Sequence, residues 1–238
     1  MPDSEILVEN QILQALSPKS YQNLLPHLQE VDLSSEQVVH KSQEVIAEIY
    51  FPQSAIFSSA VEMRDGSTIE VSLIGSEGIV GLSAIFGDRD TATSSIVQLS
   101  GKALKVATGI VRQEFYQAGE FQSIALLYTQ AYIAHVSHIS ACNSLHTVEQ
   151  RLARFLLLVQ DACGKETLPL TQKLISLRLG VRRASITDTA ISLQSRKIIQ
   201  YRRGKITILN RLKLEAIACE CYAKIKSNYR ALAKSKPS

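Results

Sequence analysis

The chain has 238 residues, of which 45% are hydrophobic and 20% are charged, with four cysteines and no tryptophan. This composition is typical of a folded globular protein and excludes collagen-like, low-complexity and wholly disordered chains. No apolar run approaches the about 20 residues that span a bilayer, and the first residues are acidic where a secretory signal is basic. We therefore expect a cytoplasmic protein without a membrane partner.

The net charge of +4 is the sum of two opposite parts. Residues 1–146 carry 7 basic and 16 acidic side chains, a net charge of −9, whereas residues 147–238 carry 19 basic and 6 acidic ones, a net charge of +13. This asymmetry predicts two domains, of which the basic one is suited to a polyanionic partner. Charge alone leaves open a solvated basic surface without any partner.

The acidic part has the pattern of strands and turns. Short helices interrupted by Pro18 and Pro26 come first, and from residue 37 to residue 106 apolar and polar residues alternate between turn residues. Asp65-Gly66 is the clearest hairpin signal. Alternation with period 2 predicts antiparallel strands with one buried face, so we predict a β-roll within residues 1–120.

Residues 121–146 have the pattern of one long helix, without Gly or Pro. The apolar stripe of this helix comprises Ile124, Leu127, Ala131, Ala134, Ile139 and Cys142. A helix of this length measures about 39 Å, which is more than a small roll can cover. We predict that the helix pairs with its copy in a second chain, with packing inside one chain as the alternative.

Residues 147–238 have the pattern of a winged helix. Thr171 is a suitable N-cap for a helix that ends at Gly180, and a second helix follows from about Arg182. Two short helices joined through a glycine predict a helix-turn-helix, whose second helix normally enters the major groove of DNA. Two β-branched stretches then flank the basic tip Arg202-Arg203-Gly204-Lys205, which predicts the hairpin of a wing.

At these residues the chain resembles the Crp/Fnr family of bacterial transcription regulators. The resemblance is carried by residues 142–154, 170–187, 193–194, 206–209 and 218–222, and in the first half by Phe51-Pro52, Asp65-Gly66-Ser67 and residues 73–81. It implies an α+β fold: a cyclic-nucleotide-binding-like sensor roll of jelly-roll type, a dimerisation helix and a winged helix-turn-helix. The implied function is sequence-specific regulation of transcription by a homodimer that binds double-stranded DNA at an inverted repeat, with RNA polymerase as a further candidate partner.

The resemblance also implies which residues contact DNA. By position in the family's motif, Arg183, Ala184 and Asp188 fall where bases are read, with Thr187 beside them. An arginine can form a bidentate pair with guanine, while Asp188 either accepts from cytosine N4 or orients a neighbouring arginine. The phosphate contacts are expected from residues near helix N-termini and from the wing: Thr171, Gln172, Arg182, Ser185, Arg202, Arg203 and Lys205.

The roll lacks the residues that hold a cyclic nucleotide in this family. Those members have a Gly-Glu pair for the ribose, followed about ten residues later by an arginine for the cyclic phosphate. Here Leu82 follows Gly81, the later position falls on Thr91 or Thr93, and the only nearby cation is Arg89. Because a buried phosphate needs a cation, we expect neither cyclic AMP nor cyclic GMP to bind, and the effector is unknown.

No metal site, cofactor or catalytic site is expected. The family's iron–sulfur sensors carry cysteines near the N-terminus, whereas the first cysteine here is Cys142. Cys219 and Cys221 are predicted to lie on one helix, pointing about 200° apart, which is unfavourable for binding one ion. The four thiols are interpreted as structural. His135 and His138 lack a third ligand and are interpreted as surface or seam residues of the dimerisation helix.

The chain also lacks the motifs of a nucleophile elbow, a P-loop, a zinc signature or a dinucleotide-binding loop, so we predict that it is not an enzyme. The remaining rival is a winged helix whose basic face binds an acidic protein partner.

Overall fold

A computed structural model describes residues 8–87 and 91–234; Arg89 and the acidic N-terminal residues lie outside these ranges. The predicted α+β class with antiparallel sheets is confirmed. The helices are α1 Gln11–Gln14, α2 Pro18–Leu24, α3 Ser83–Phe86, α4 Thr108–Tyr116, α5 Glu120–Leu145, α6 Val148–Cys163, α7 Gln172–Leu179, α8 Arg183–Ser195, α9 Arg211–Ile217 and α10 Cys221–Lys234, with a 3₁₀ turn at Leu25–His27. The strands are β1 Gln29–Leu33, β2 Val38–His40, β3 Glu48–Pro52, β4 Ile56–Glu62, β5 Thr68–Ile74, β6 Ser94–Leu99, β7 Gly101–Ala107, β8 Thr167–Leu168, β9 Ile199–Arg202 and β10 Lys205–Ile208.

The first seven strands form the roll. One sheet has the order β1-β7-β3 and the other β2-β6-β4-β5, and all neighbours are antiparallel. The predicted hairpin joins β4 to β5, where Gly66 has a φ of +79° and the Ser67 N–H donates to Asp65 Oδ1 at 2.9 Å. Phe51 and Phe57 are fully buried in the roll.

Helix α5 runs without interruption for 26 residues, and α10 packs back along it. Most of the predicted stripe is buried inside the chain, including Ile124, Ala131 and Cys142, whereas Leu126 and Ile133 are 50% and 60% exposed. The apolar face that remains for a second chain is therefore a different one from the predicted stripe. Within the described ranges, no helix has the length and apolarity needed to cross a membrane.

The C-terminal part begins at α6, whose N-terminus is closed by a capping box between Thr147 and Gln150. Its three short strands form a separate antiparallel sheet in the order β8-β10-β9. The hydrophobic core of this part includes Ile56, Leu73 and Leu99 from the roll. The winged helix therefore packs directly against the roll.

Candidate nucleic-acid interface

Local sequence signals explain the position of both helices of the helix-turn-helix. Thr171 caps α7, with its Oγ1 accepting the Leu174 N–H at 3.1 Å, and Gly180 ends the helix with a φ of +60°. Only a glycine adopts this left-handed conformation without strain. Helix α8 then begins at Arg183 and buries Ile186 and Leu193 against the core. The opposite face of α8 is left in solvent.

The predicted base-reading residues lie on this solvent face. Arg183, Ala184 and Asp188 are exposed on the first two turns of α8. Ala184 and Asp188 are four residues apart and so share one side of the helix. Among the residues described, no arginine or lysine lies within 4.0 Å of the Asp188 carboxylate, so no ion pair orients a neighbouring arginine.

Thr187 connects the two helices. Its Oγ1 lies 3.0 Å from Gln172 Oε1 and 3.1 Å from the Arg183 carbonyl oxygen, and both oxygens can only accept its single proton. The hydroxyl is thus held by the protein, and the Gln172 amide group is fixed with its NH₂ free to donate. Thr187 therefore orients Gln172, which is itself a predicted phosphate contact.

The N-terminus of α8 presents free backbone donors. Arg182 is the N-cap, its backbone is extended, and its side chain makes no capping hydrogen bond. The first N–H groups of the helix, up to that of the half-buried Ser185, therefore have no side-chain cap. Such a helix start favours an anion, because the donors and the helix dipole point the same way.

The wing brings three more cations to the same side. Strands β9 and β10 are joined by Arg203 and Gly204, whose φ angles of +49° and +76° are those of a two-residue hairpin turn. Arg202, Arg203 and Lys205 are exposed. Gly204 lies beside the start of α7, since a Cβ at this glycine would be 3.3 Å from Thr171 Cγ2. The wing tip and the α7 N-cap are therefore neighbours.

The cations of this surface are unpaired. Within the described residues, no carboxylate lies within 4.0 Å of Arg182, Arg183, Arg202, Arg203 or Lys205. Elsewhere in the C-terminal part, by contrast, Arg196 and Arg211 form ion pairs with acidic groups. Five cations without an ion pair in the described structure thus lie on α8, at its N-cap and on the wing. Lys173, which no sequence motif singled out, is exposed one residue after Gln172 and adds to this charge.

Residues 150–217 match the family model described as the Crp-like helix-turn-helix domain. These residues form a Crp-like domain. The match contains α7, α8 and the wing, and so all eleven predicted contact residues.

Most of the chain has the fold of solved Crp/FNR proteins. One is assigned to the Crp/Fnr family of transcriptional regulators, from Eubacterium rectale, with 17% identity, a TM-score of 0.69, and coverage of 87% of this chain and 96% of that one. FixK2 from Bradyrhizobium japonicum has 15% identity, a TM-score of 0.68, and coverage of 81% and 98%. The c-di-GMP-responsive global regulator CLP from Xanthomonas campestris has 14% identity, a TM-score of 0.65, and coverage of 81% and 99%. No curated protein sequence matches. The predicted resemblance is confirmed.

The Crp-like domain is fastened to the roll by a buried polar contact. Arg178 Nε of α7 donates to Gln98 Oε1 at 2.9 Å and lies 3.6 Å from Glu70 Oε2 of β5. Burial raises the pKa of Glu70 to about 8, although Arg178 and Arg154 act in the opposite direction. The turn at Gly180 also rests on Ile69. The placement of the helix-turn-helix therefore depends on the roll.

The roll contains a cavity lined by the positions at which the resemblance led us to look for nucleotide-binding residues. Its described lining includes Gly81, Leu82, Thr91 and Thr93, and none of the described lining residues carries a positive charge. The Thr91 and Thr93 hydroxyls hydrogen-bond to each other, and Thr93 Oγ1 also accepts a hydrogen bond from the Ser59 hydroxyl at 3.0 Å. Arg89 lies outside the described residues.

Proposed function

We propose that this protein is a Crp/FNR-type transcription regulator that binds double-stranded DNA as a homodimer at an inverted repeat. The observation that carries the proposal is the unpaired cationic surface around α8 and the wing of the Crp-like domain. Phosphates attract such a surface at any sequence, while an exposed recognition helix adds base contacts. The role is regulatory rather than enzymatic, and it places the protein in the cytoplasm with RNA polymerase as a candidate partner.

Base reading is assigned to α8. Arg183 donates to O6 and N7 of a guanine, which is worth about 1–3 kcal/mol of discrimination. Asp188 accepts from a cytosine N4 amino group, since the described residues contain no cation in contact with it. Ala184, on the same side, offers its methyl group to a thymine.

Phosphate binding is assigned to two groups of residues. Thr171, Gln172, Arg182 and Ser185 lie at the helix starts, where hydroxyl, amide and backbone N–H groups suit phosphate oxygens. The wing residues Arg202, Arg203 and Lys205 add charge that carries no sequence information. Together these contacts set the register of α8 in the groove.

The dimer is assigned to the exposed apolar face of α5. Leu126 and Ile133 are seven residues apart, and both are at least half exposed. That spacing is the heptad repeat of a helix that pairs with its copy. Two copies related by a twofold axis place their α8 helices about 34 Å apart, which corresponds to an inverted repeat with one helical turn between half-site centres.

The roll is proposed not to bind cyclic AMP or cyclic GMP. Leu82 occupies the position of the ribose-binding glutamate, and the threonines of the described lining offer no charge to a cyclic phosphate. A buried phosphate without a cation is costly. Micromolar binding of either nucleotide in calorimetry would overturn this proposal.

A gel shift with random-sequence DNA at two salt concentrations tests the proposed function. We expect retardation that weakens strongly as salt rises, since DNA binding releases counterions. Absence of any salt-dependent retardation would contradict DNA binding and would favour a basic face that binds an acidic protein.

A further inference from the structure

Three cysteines and one histidine from distant parts of the chain meet at one point. Cys142 lies in the last turn of α5, His146 directly follows this helix, and Cys219 and Cys221 lie where α9 is joined to α10. The three Sγ atoms and a ring nitrogen of His146 all lie within 4.8 Å of one another. The cysteines are at most 4% exposed, and the His146 side chain is 14% exposed.

The connection between α9 and α10 explains why the thiols converge. Helix α9 ends at Ile217, and Ala218 has an extended backbone with a ψ of 145°. Cys219 therefore lies between two helices, while Cys221 begins the next one. The expectation that both cysteines sit on one helix and point apart is wrong, because the helix breaks without a Gly or Pro to signal it. Both thiols face Cys142.

The distances fit one ion with four ligands. Cys142 Sγ lies 3.4 Å from Cys219 Sγ, and Cys221 Sγ lies 3.8 Å from His146 Nδ1. A tetrahedral zinc ion with Zn–S bonds of about 2.3 Å separates its ligand atoms by about 3.8 Å. An iron–sulfur cluster distributes its thiolates over several iron atoms, so it needs a wider set of ligands. We propose that Cys142, His146, Cys219 and Cys221 form a zinc-binding site.

His146 already has the outer partner that a zinc-bound histidine usually has. Its Nδ1 faces the thiols, and its Nε2 lies 3.2 Å from Glu220 Oε2. A carboxylate in this place fixes the ring orientation and leaves the other nitrogen as the metal ligand. Glu220 stands between the two cysteines in sequence, so one short segment supplies two thiols and this carboxylate.

Nearby cations favour thiolate ligands. Three thiolates and a neutral imidazole around a divalent ion carry a net charge of −1. Arg151 and Arg154 of α6 are buried near these thiols, and the Nε of each lacks a hydrogen-bond partner within the described part of the chain. The surroundings therefore balance an anionic metal centre.

The bound ion would join the end of α5 to the last two helices. This is the point where the long helix leads into the Crp-like domain and where α10 turns back along α5. A four-ligand site closed by protein groups is structural rather than catalytic.

Metal analysis of the full-length protein, purified under reducing conditions without chelators, tests the site. We expect about one zinc per chain in the wild type and loss of that zinc in Cys142→Ser and Cys221→Ser. Cys163→Ser is the matched control, since Cys163 is half-exposed and lies outside the cluster, and it should keep its zinc.

Glu220→Gln tests the site without disturbing the core, because the Glu220 side chain is 73% exposed. Its zinc affinity, measured by competition with a chelating dye, should fall by about 10-fold. With cobalt(II) in place of zinc, the wild type should show the visible absorption of a tetrahedral thiolate site, and Cys219→Ser should not. The proposal is overturned by a wild type without zinc, by a native Cys142–Cys219 disulfide, by bound iron and sulfide, or by equal zinc loss in Cys163→Ser.

Discussion

Arg183 begins α8 with an exposed side chain and no ion pair in the described structure. We expect Arg183→Ala to lower affinity for a selected DNA site by about 10- to 100-fold, because a bidentate guanine contact is worth about 1–3 kcal/mol. Affinity for random DNA should change much less. Fluorescence anisotropy with both duplexes measures the difference, and Arg196→Ala, which removes an arginine paired with Glu149, is the control. Equal losses on both duplexes would refute base reading by Arg183.

Glu70 is predicted to make stability depend on pH. Burial raises the pKa of Glu70 to about 8, so the folded chain holds this proton more tightly than the unfolded chain. The stabilising contribution is therefore complete below the ordinary carboxyl pKa and is lost as pH rises through about 8. Thermal unfolding should show that the stability of Glu70→Gln falls less between pH 5 and pH 9 than the stability of the wild type does. The exposed Glu62→Gln serves as a control, and parallel curves for all three proteins would contradict the assignment.

At the scale of single residues, the sequence predicted what local chemistry determines. Thr171 and Gly180 marked the two ends of α7 in the sequence, because few residue types cap a helix start or adopt the left-handed conformation at a helix end. The convergence of Cys142 with Cys219 was not recognisable, since it depends on a helix break and on residues 77 positions apart.

At the scale of elements, the wing is expected to contribute charge without sequence preference. Replacing Arg202 and Arg203 together with alanine should weaken all DNA sequences similarly. If both side chains touch phosphate, the slope of log affinity against log salt should become shallower by about 2. Titrations at several salt concentrations measure this slope, with Lys224→Ala on α10 as a control, and an unchanged slope would remove the wing from the interface.

The long helix is expected to hold the dimer through Ile133. A charge at this exposed apolar position would be buried without a partner on pairing, so Ile133→Glu should shift the protein from dimer to monomer. Light scattering measures the mass. Leu212→Glu on α9, which changes another exposed apolar residue, should leave the dimer intact. A monomeric wild type or a dimeric Ile133→Glu would contradict the proposed face.

For the long helix α5, the sequence predicted the length but not the face that is covered. Its extent was predicted to within a residue at each end, because uninterrupted helical residues suffice for that. Its covered face could not be assigned, since the periodicity of α5 shows an apolar stripe but not whether α10 or a second chain covers it. Dimerisation itself stays a prediction.

At the scale of the whole molecule, the two oppositely charged parts are not independent. Charge asymmetry predicted two units, but the structure joins them through a shared core and through Arg178, Gln98 and Glu70. No local sequence pattern predicts such contacts between distant segments of the chain. They fix the position of α7, and through it that of α8, relative to the roll.

The proposed homodimer on an inverted repeat is tested most directly by selecting binding sites from a random DNA pool. The number of chains bound to each selected duplex is then measured. The proposed function predicts an inverted repeat whose half-site centres are about 10 base pairs apart, bound by two chains. It also predicts one particular guanine in each half-site. Replacing this guanine should weaken binding by the wild type but not binding by Arg183→Ala. A pool without any enriched sequence, or a selected site bound by one chain, would contradict it.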